Sequence, residues 1–130
     1  MHHRILLAAL VVTAAATSAG ASQPVAMNLV CEGQVADDAG NLKPFMTQIS
    51  VDLKSKHWCD QGVGCPYSFP ILAQHGDDLQ LLAVKTPFNE AAFDLNLKTG
   101  AFARVTRIPD RPNSLASAKG VCKPTSAPLK

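Results

Sequence analysis

Phe45-Met46-Thr47-Gln48-Ile49-Ser50-Val51-Asp52-Leu53-Lys54 is the stretch that decides the fold class. Phe45, Thr47, Ile49, Val51 and Leu53 fall on one side of an extended chain, and Met46, Gln48, Ser50, Asp52 and Lys54 on the other. A period of two belongs to a strand with one buried face, because successive side chains of a strand point to opposite faces.

The same alternation recurs on either side. Residues 25–35 set Met27, Leu29, Cys31 and Gly33 against Asn28, Val30 and Glu32. Residues 79–86 put Leu79, Leu81, Ala83 and Lys85 on one side. Residues 92–98 set Phe93, Leu95 and Leu97 against Asp94 and Asn96, and residues 101–108 set Phe102, Arg104, Thr106 and Ile108 against Ala103, Val105 and Arg107. A weaker strand over 67–73 is interrupted by Pro70, which lacks a ladder donor and so points to an edge or a bulge. Turn formers separate these runs: Asp37-Asp38-Ala39-Gly40-Asn41, Ser55-Lys56, a polar turn around Gly76, Pro87-Phe88-Asn89-Glu90 and Thr99-Gly100. The expected fold is mainly β, a single small antiparallel meander sheet or partly closed barrel of about six strands, disulfide-bridged. Residues 113–119 have too few apolar positions to anchor a helix. Val51 to Trp58 echoes Leu95 to Phe102, each running apolar, polar, Leu, Lys, a Ser or Thr turn and an aromatic. Two hairpins with one turn grammar explain this more simply than a duplicated binding unit.

Residues 1–21 read as a cleavable export signal. Met1-His2-His3-Arg4 is a short positive leader, Ile5 to Ala16 is apolar apart from Thr13, and Ala19-Gly20-Ala21 fits a cleavage site ahead of Ser22. The apolar run falls short of the roughly 20 residues that span a bilayer, and no cysteine follows it for a lipid anchor. The chain therefore divides into a signal at 1–21, a β domain at 22–108 and a C-terminal tail at 109–130, rich in Pro, Ser, Ala and Lys and pinned by Cys122. The expected location is periplasmic or secreted, with no transmembrane segment in the mature chain.

The four cysteines, Cys31, Cys59, Cys65 and Cys122, imply a disulfide framework in a small exported domain. Of the possible pairings, Cys59–Cys65 closes a short loop made flexible by Gly62 and Gly64, and Cys31–Cys122 ties the first strand to the tail. The alternative, a metal set of His57, Cys59, Cys65 and His75, matches no zinc spacing, and no C-x-x-C redox motif is present. No metal and no cofactor are expected.

From Ser22 to Leu97 there are nine acids and four bases; from Lys98 onward there are seven bases and one acid, Asp110. These bases are dispersed and have few aromatics among them, so nucleic acid is not the expected partner. A basic C-terminal segment that engages the envelope is the alternative use. The sequence has no G-x-S-x-G, H-E-x-x-H, phosphate loop or dinucleotide fingerprint. A set drawn from Ser68, His75 and Asp77 has no nucleophile elbow, so the chain is read as not an enzyme. It reads instead as a non-catalytic binding or inhibitor-like module whose partner is an envelope protein or a glycan. Its candidate surface runs over 56–67, where Trp58 and Tyr67 flank the short bridge beside His57, because aromatics are favoured at binding centres. The competing role for Trp58 is to pack on the disulfide in the core.

Leu29-Val30-Cys31-Glu32-Gly33, the strand, turn and aromatic from Leu53 to Cys59, Leu97-Lys98-Thr99-Gly100 and Gly120-Val121-Cys122 together resemble uncharacterised exported small β-proteins of Gram-negative bacteria. That resemblance implies export and a bridged β fold, and no activity. A second resemblance is to the small β-barrel periplasmic lysozyme inhibitors, which carry an early Cys and a Ser-Gly-Ala-aromatic inhibitory loop. Thr99-Gly100-Ala101-Phe102 is the nearest match, with Thr99 in place of the Ser. It would place an inhibitory role on that turn.

The intact mass of the protein recovered from the periplasm checks the processing and the cysteines together. The expected species starts at Ser22 and takes up an alkylating reagent only after reduction; a longer species or free thiols would count against this reading.

Overall fold

The structure, a computed structural model, describes residues 26–61, 65 and 67–126; the signal at 1–21 lies outside them. The described residues hold no helix. Nine strands form one antiparallel sheet: β1 (Met27–Ala36), β2 (Leu42–Asp52), β3 (His57–Asp60), β4 (Phe69–Pro70), β5 (Ala73–His75), β6 (Asp78–Lys85), β7 (Glu90–Asn96), β8 (Ala101–Arg107) and β9 (Ala116–Pro124). Their order across the sheet is β4-β3-β2-β1-β9-β8-β7-β6-β5. The sheet curls into a half-barrel whose two edge strands are consecutive in the chain. Only Ile71 and Leu72 separate them. The Ile71 N–H donates to the Lys56 carbonyl at 2.8 Å and the Leu72 N–H to the Gln80 carbonyl at 2.9 Å. One two-residue step thus transfers the chain from the side of β3 to the side of β6. Pro70 stands in an edge strand, where its missing donor interrupts no ladder. Both edges are very short, which limits pairing with other chains.

The sheet has nine strands, against the expectation of about six. Residues 57–60 form a strand of their own, the 67–73 segment supplies β4 and hands over to β5, and the segment read as a C-terminal tail supplies β9. β9 runs between β1 and β8. Its composition hides it because its inward positions are small. Cys122 faces Cys31 directly across the ladder and is bonded to it, and Gly120 faces Gly33 in the next inward pair. A Cβ on Gly120 would fall on the Glu32 carbonyl oxygen and the Gly33 Cα. The two backbones approach too closely here for any side chain, so a strand essential to the sheet reads as polar and weak.

The inward faces make the core: Leu29, Ile49, Val51, Trp58, Leu79, Leu81, Phe93, Leu95 and Phe102, with Ala118 and both cysteines of the long bridge. Phe93 is its centre, its ring 5.5 Å from Trp58 and 6.1 Å from Phe102. The echoed segments are the β2–β3 and β7–β8 hairpins, and they share a turn chemistry. Asp52 Oδ1 accepts the Lys54 and Ser55 N–H groups, both at 3.0 Å, and Asn96 Oδ1 accepts those of Lys98 and Thr99 at 3.0 and 2.9 Å. Each turn ends on a positive φ, 59° at Lys56 and 77° at Gly100, and each then sends its aromatic inward. The Ser55 N–H holds the Asp52 carboxyl below its ordinary value. That turn contribution is present above about pH 4 and is lost as the pH falls through the lowered value.

The β6–β7 register skips Leu81 between Gln80 and Leu82. The bulge takes the Leu81 carbonyl out of the ladder, and the Trp58 indole N–H donates to it at 2.8 Å in the core. This bond joins β3 to β6 across the interior.

Each bridge closes a loop of very different length, 91 residues for Cys31–Cys122 and 6 for Cys59–Cys65. In the chain-entropy account the long bridge contributes about 4–5 kcal/mol and the short one about 2. Urea unfolding of the Cys31→Ser/Cys122→Ser and Cys59→Ser/Cys65→Ser proteins should rank them in that order. Gly120→Ala should cost about 2 kcal/mol or more by overpacking the β1–β9 seam.

Candidate functional site

Because the strands alternate in direction, four connections collect at one end of the half-barrel: the β1–β2 turn at 37–41, residues 61–68 between β3 and β4, the β6–β7 turn at 86–89 and residues 108–115 between β8 and β9. Several are ordered by their own side chains. Asp37 Oδ1 accepts the Ala39 and Asn41 N–H groups at 2.9 Å, and Thr86 Oγ1 accepts those of Phe88 and Asn89 at 3.2 and 2.9 Å. Ser114 Oγ accepts the Ile108 N–H at 3.0 Å. The Leu115 N–H donates to Asp38 Oδ2 at 3.1 Å, which ties the β8–β9 connection to the β1–β2 turn. Arg107 and Glu90, paired across β7 and β8, form an ion pair at 2.6 Å.

Large apolar side chains stand exposed on this loop end: Phe88 at 79%, Tyr67 at 68%, Leu42 at 61% and Ile108 at 36%. Met46 is exposed beside the mouth of the half-barrel, and Leu72 and Val121 are the other large apolar residues of this kind among the described residues. A rigid scaffold that presents ordered loops with apolar tips is a common form of recognition surface.

Between the loops a cavity of about 360 Å³ opens into the concave face, lined by Val35, Phe45, Thr47, Asp60, Arg104, Thr106, Ala116 and Ala118, with Met46 at its edge. Asp60 on β3 and Arg104 on β8 have three strands, β2, β1 and β9, between them in the sheet order, so their 2.6 Å ion pair spans the interior. Asp60 also accepts the Thr47 hydroxyl at 2.9 Å. The guanidinium lies over the Phe93 ring, 5.4 Å from its centroid, a cation–π placement that holds it in plane. Asp60 is nearly sealed, its side chain 4% exposed, whereas that of Arg104 is 23% exposed and faces the opening. Pockets in the mouths of β-barrels are frequent ligand sites. A larger, shallow groove of about 510 Å³ runs over the outer face of β5 to β8, past His75, Asp78, Gln80 and Asp94. Asp78 there is taken up by Asn96 at 2.8 Å.

The structure does not bring His57, Trp58 and Tyr67 together as one surface. Trp58 is 3% exposed and belongs to the core. His57 begins β3 at the opposite end, exposed, with Nδ1 2.7 Å from the Ser55 carbonyl; that contact puts the ring proton on Nδ1. It borders a shallow depression with Ser50, Asp52, Ser55, Ser68 and the Cys59–Cys65 bridge. Tyr67 is exposed at the loop end. With Cys59 and Cys65 bonded to each other, neither sulfur is a thiolate ligand. No group of three or more His, Cys, Asp or Glu able to hold a metal occurs among the described residues. The bases Lys119 and Lys123 stand exposed along β9 and not on a free tail. Both disulfides point to folding in an oxidising compartment, periplasmic or extracellular. No helix among the described residues is long and apolar enough to cross a membrane.

Sequence reasoning passed over Arg104, Asp60, Leu42, Phe88 and Ile108. Two signals were present: Arg104 shares an alternation with Phe102 and Thr106, which puts a charge on an inward face, and Phe88 is a large aromatic in the middle of a turn.

The single tryptophan gives a direct check on its placement: Trp58 emission should be blue-shifted and resist quenching by iodide. Arg104→Gln should destabilise by about 3 kcal/mol, because it leaves the buried Asp60 carboxylate without its cation, and Asp60→Asn in the same chain should recover part of that loss. Chemical denaturation of the two variants measures both. No protein-family model matches the chain, and neither the curated proteins nor the solved structures contain a match to it.

Proposed function

We propose that this is an exported, non-catalytic binding or inhibitor-like module that takes an envelope protein or a glycan at its loop end. The observation that carries this reading is the exposure of large apolar side chains at one end of a doubly bridged sheet, Leu42 at the start of β2 and Tyr67, Phe88 and Ile108 on connections. Exposing them to water is unfavourable at roughly 25 cal/mol per Å², and a partner that covers them recovers that cost. Held loops lose little entropy on binding, which favours recognition over induced folding. The export signal at 1–21 belongs to the same proposal, since a module of this kind meets its partner outside the cytoplasm.

The β7–β8 turn, where the resemblance to lysozyme inhibitors would put the contact, is a weaker candidate. Phe102 is buried against Phe45 and Phe93. The Gly100 carbonyl accepts the Cys122 N–H at 2.7 Å, so the turn is packed onto β9. Only Thr99 and Ala101 of that motif are exposed.

The test compares the mature protein with a Leu42→Ser/Phe88→Ser/Ile108→Ser variant against purified peptidoglycan fragments, outer-membrane vesicles and a c-type lysozyme, with lysozyme activity followed in parallel. The expected result is saturable binding to one of these that the variant loses by tenfold or more, in the range expected for removal of central apolar contacts. Equal binding by both proteins, or binding by neither, would contradict the proposal.

A further inference from the structure

We infer that the mouth above Arg104 is a receptor for a carboxylate carried on an apolar stem, an inference that rests on the binding reading of the loop end. The cavity exists because the lining is uneven. Deeper in the half-barrel Trp58, Phe93 and Phe102 fill the interior. At the mouth the facing positions of β8 and β9 are Thr106, Ala116 and Ala118, too small to reach across. The space of about 360 Å³ would hold about a dozen waters at ~30 Å³ each, enough for a small acid or the end of a peptide.

Arg104 supplies the polar end of such a site. A guanidinium has five N–H donors in a fixed planar fork, and Nη1 is engaged with Asp60 Oδ2. The ion pair, the Thr47 hydroxyl on the other Asp60 oxygen and the Phe93 ring beneath fix the plane of the fork. Arg104 lines the cavity with its side chain 23% exposed, so the guanidinium is reachable from that space. Carboxylates match this geometry with two parallel N–H···O bonds, and the Thr106 hydroxyl lines the same space. Asp60 offsets the charge of the cation enough for it to sit partly inside. The walls beyond it, Val35, Phe45, Ala116 and Ala118, are apolar, and so select a stem without charge. A cation is excluded by Arg104 itself. A wholly apolar ligand would strip water from the guanidinium and return nothing to it.

Two sources carry this chemistry, a free aliphatic acid and a peptide C-terminus, and two probes separate them. Octanoate and N-acetyl-dileucine with a free C-terminus are titrated into the ¹⁵N-labelled protein, each beside its own primary amide. The expected result is a shift of β2, β8 and β9 amides at the loop end, with at least one acid binding about tenfold or more tighter than its amide, the contribution of a charge-assisted pair. Octanoate alone would identify the free acid as the source, the peptide alone a chain terminus. The Arg104→Gln/Asp60→Asn protein, in which both charges of the pair are removed together, should fold and lose the preference for acid over amide. Ala116→Leu, which narrows the opening without touching the ion pair, should weaken both. The inference is overturned if neither acid binds the folded wild-type protein by about 10 mM, beyond the weak limit of specific affinities, or if acid and amide bind alike. A partner lost by the Leu42/Phe88/Ile108 variant but kept by the Arg104/Asp60 variant would overturn the carboxylate site alone and leave the loop-end reading standing.

Discussion

The pairing of the first described strand with the last is the constraint on which the rest of this fold depends. β1 and β9 join the two halves of the molecule, β2 to β4 on one side and β5 to β8 on the other. Without that seam each half would be a small sheet with an exposed edge and half a core. The seam is held by the Cys31–Cys122 bridge between direct ladder partners and by the close approach at Gly33 and Gly120. A domain of this size buries a modest core, so a covalent link between its most distant strands does much of the stabilising that further apolar area would do in a larger protein.

The seam also explains why the two ends differ. At the end where β9 leaves the sheet, tight turns close the hairpins, and the aromatics that follow them, Trp58 and Phe102, are drawn against Phe93. At the other end β9 begins with Ala116 and Ala118, whose small side chains leave the interior unfilled. The interior therefore narrows to a packed core below and opens to a polar-floored mouth above. The Asp60–Arg104 pair spans that mouth where no apolar side chain reaches across. A buried ion pair adds little net stability over well-packed apolar residues, whereas removing one partner of it is costly.

The sequence was legible wherever a strand has one buried and one wet face. β2, β7 and β8 read correctly from period-two alternation, and the β7–β8 turn from Thr99-Gly100; β6 read as a strand, but the bulge at Leu81 breaks its alternation, so Ala83 and Lys85 face out in place of the inward side expected for them. The two bridges were legible from the even cysteine count, the loop glycines at Cys59–Cys65 and the expectation of export. β9 was hidden because its inward positions are small: Gly120 sits where the backbones approach closely, and Ala116 and Ala118 add little apolar signal. β3 was missed as a strand because it is four residues long and opens directly from its turn. Proline correctly marked the edge at Pro70, but the handover from β3 to β6 depends on two backbone hydrogen bonds that no residue type announces. In the candidate site, Tyr67 was legible as an exposed aromatic. Trp58 was ambiguous until its indole found the Leu81 carbonyl, because an aromatic beside a disulfide suits a core and a surface equally well. Arg104 needed the partner at Asp60, far off in sequence, before its inward position meant anything.

Amide hydrogen exchange across residues 116–124 of the oxidised mature protein tests the central claim most directly. If that segment is the strand that joins the two halves, its ladder amides should exchange as slowly as those of β1 and open only with global unfolding. Exchange on the timescale of an unstructured chain, with β1 still protected, would make the segment a tail tethered by one disulfide and would contradict the half-barrel described above.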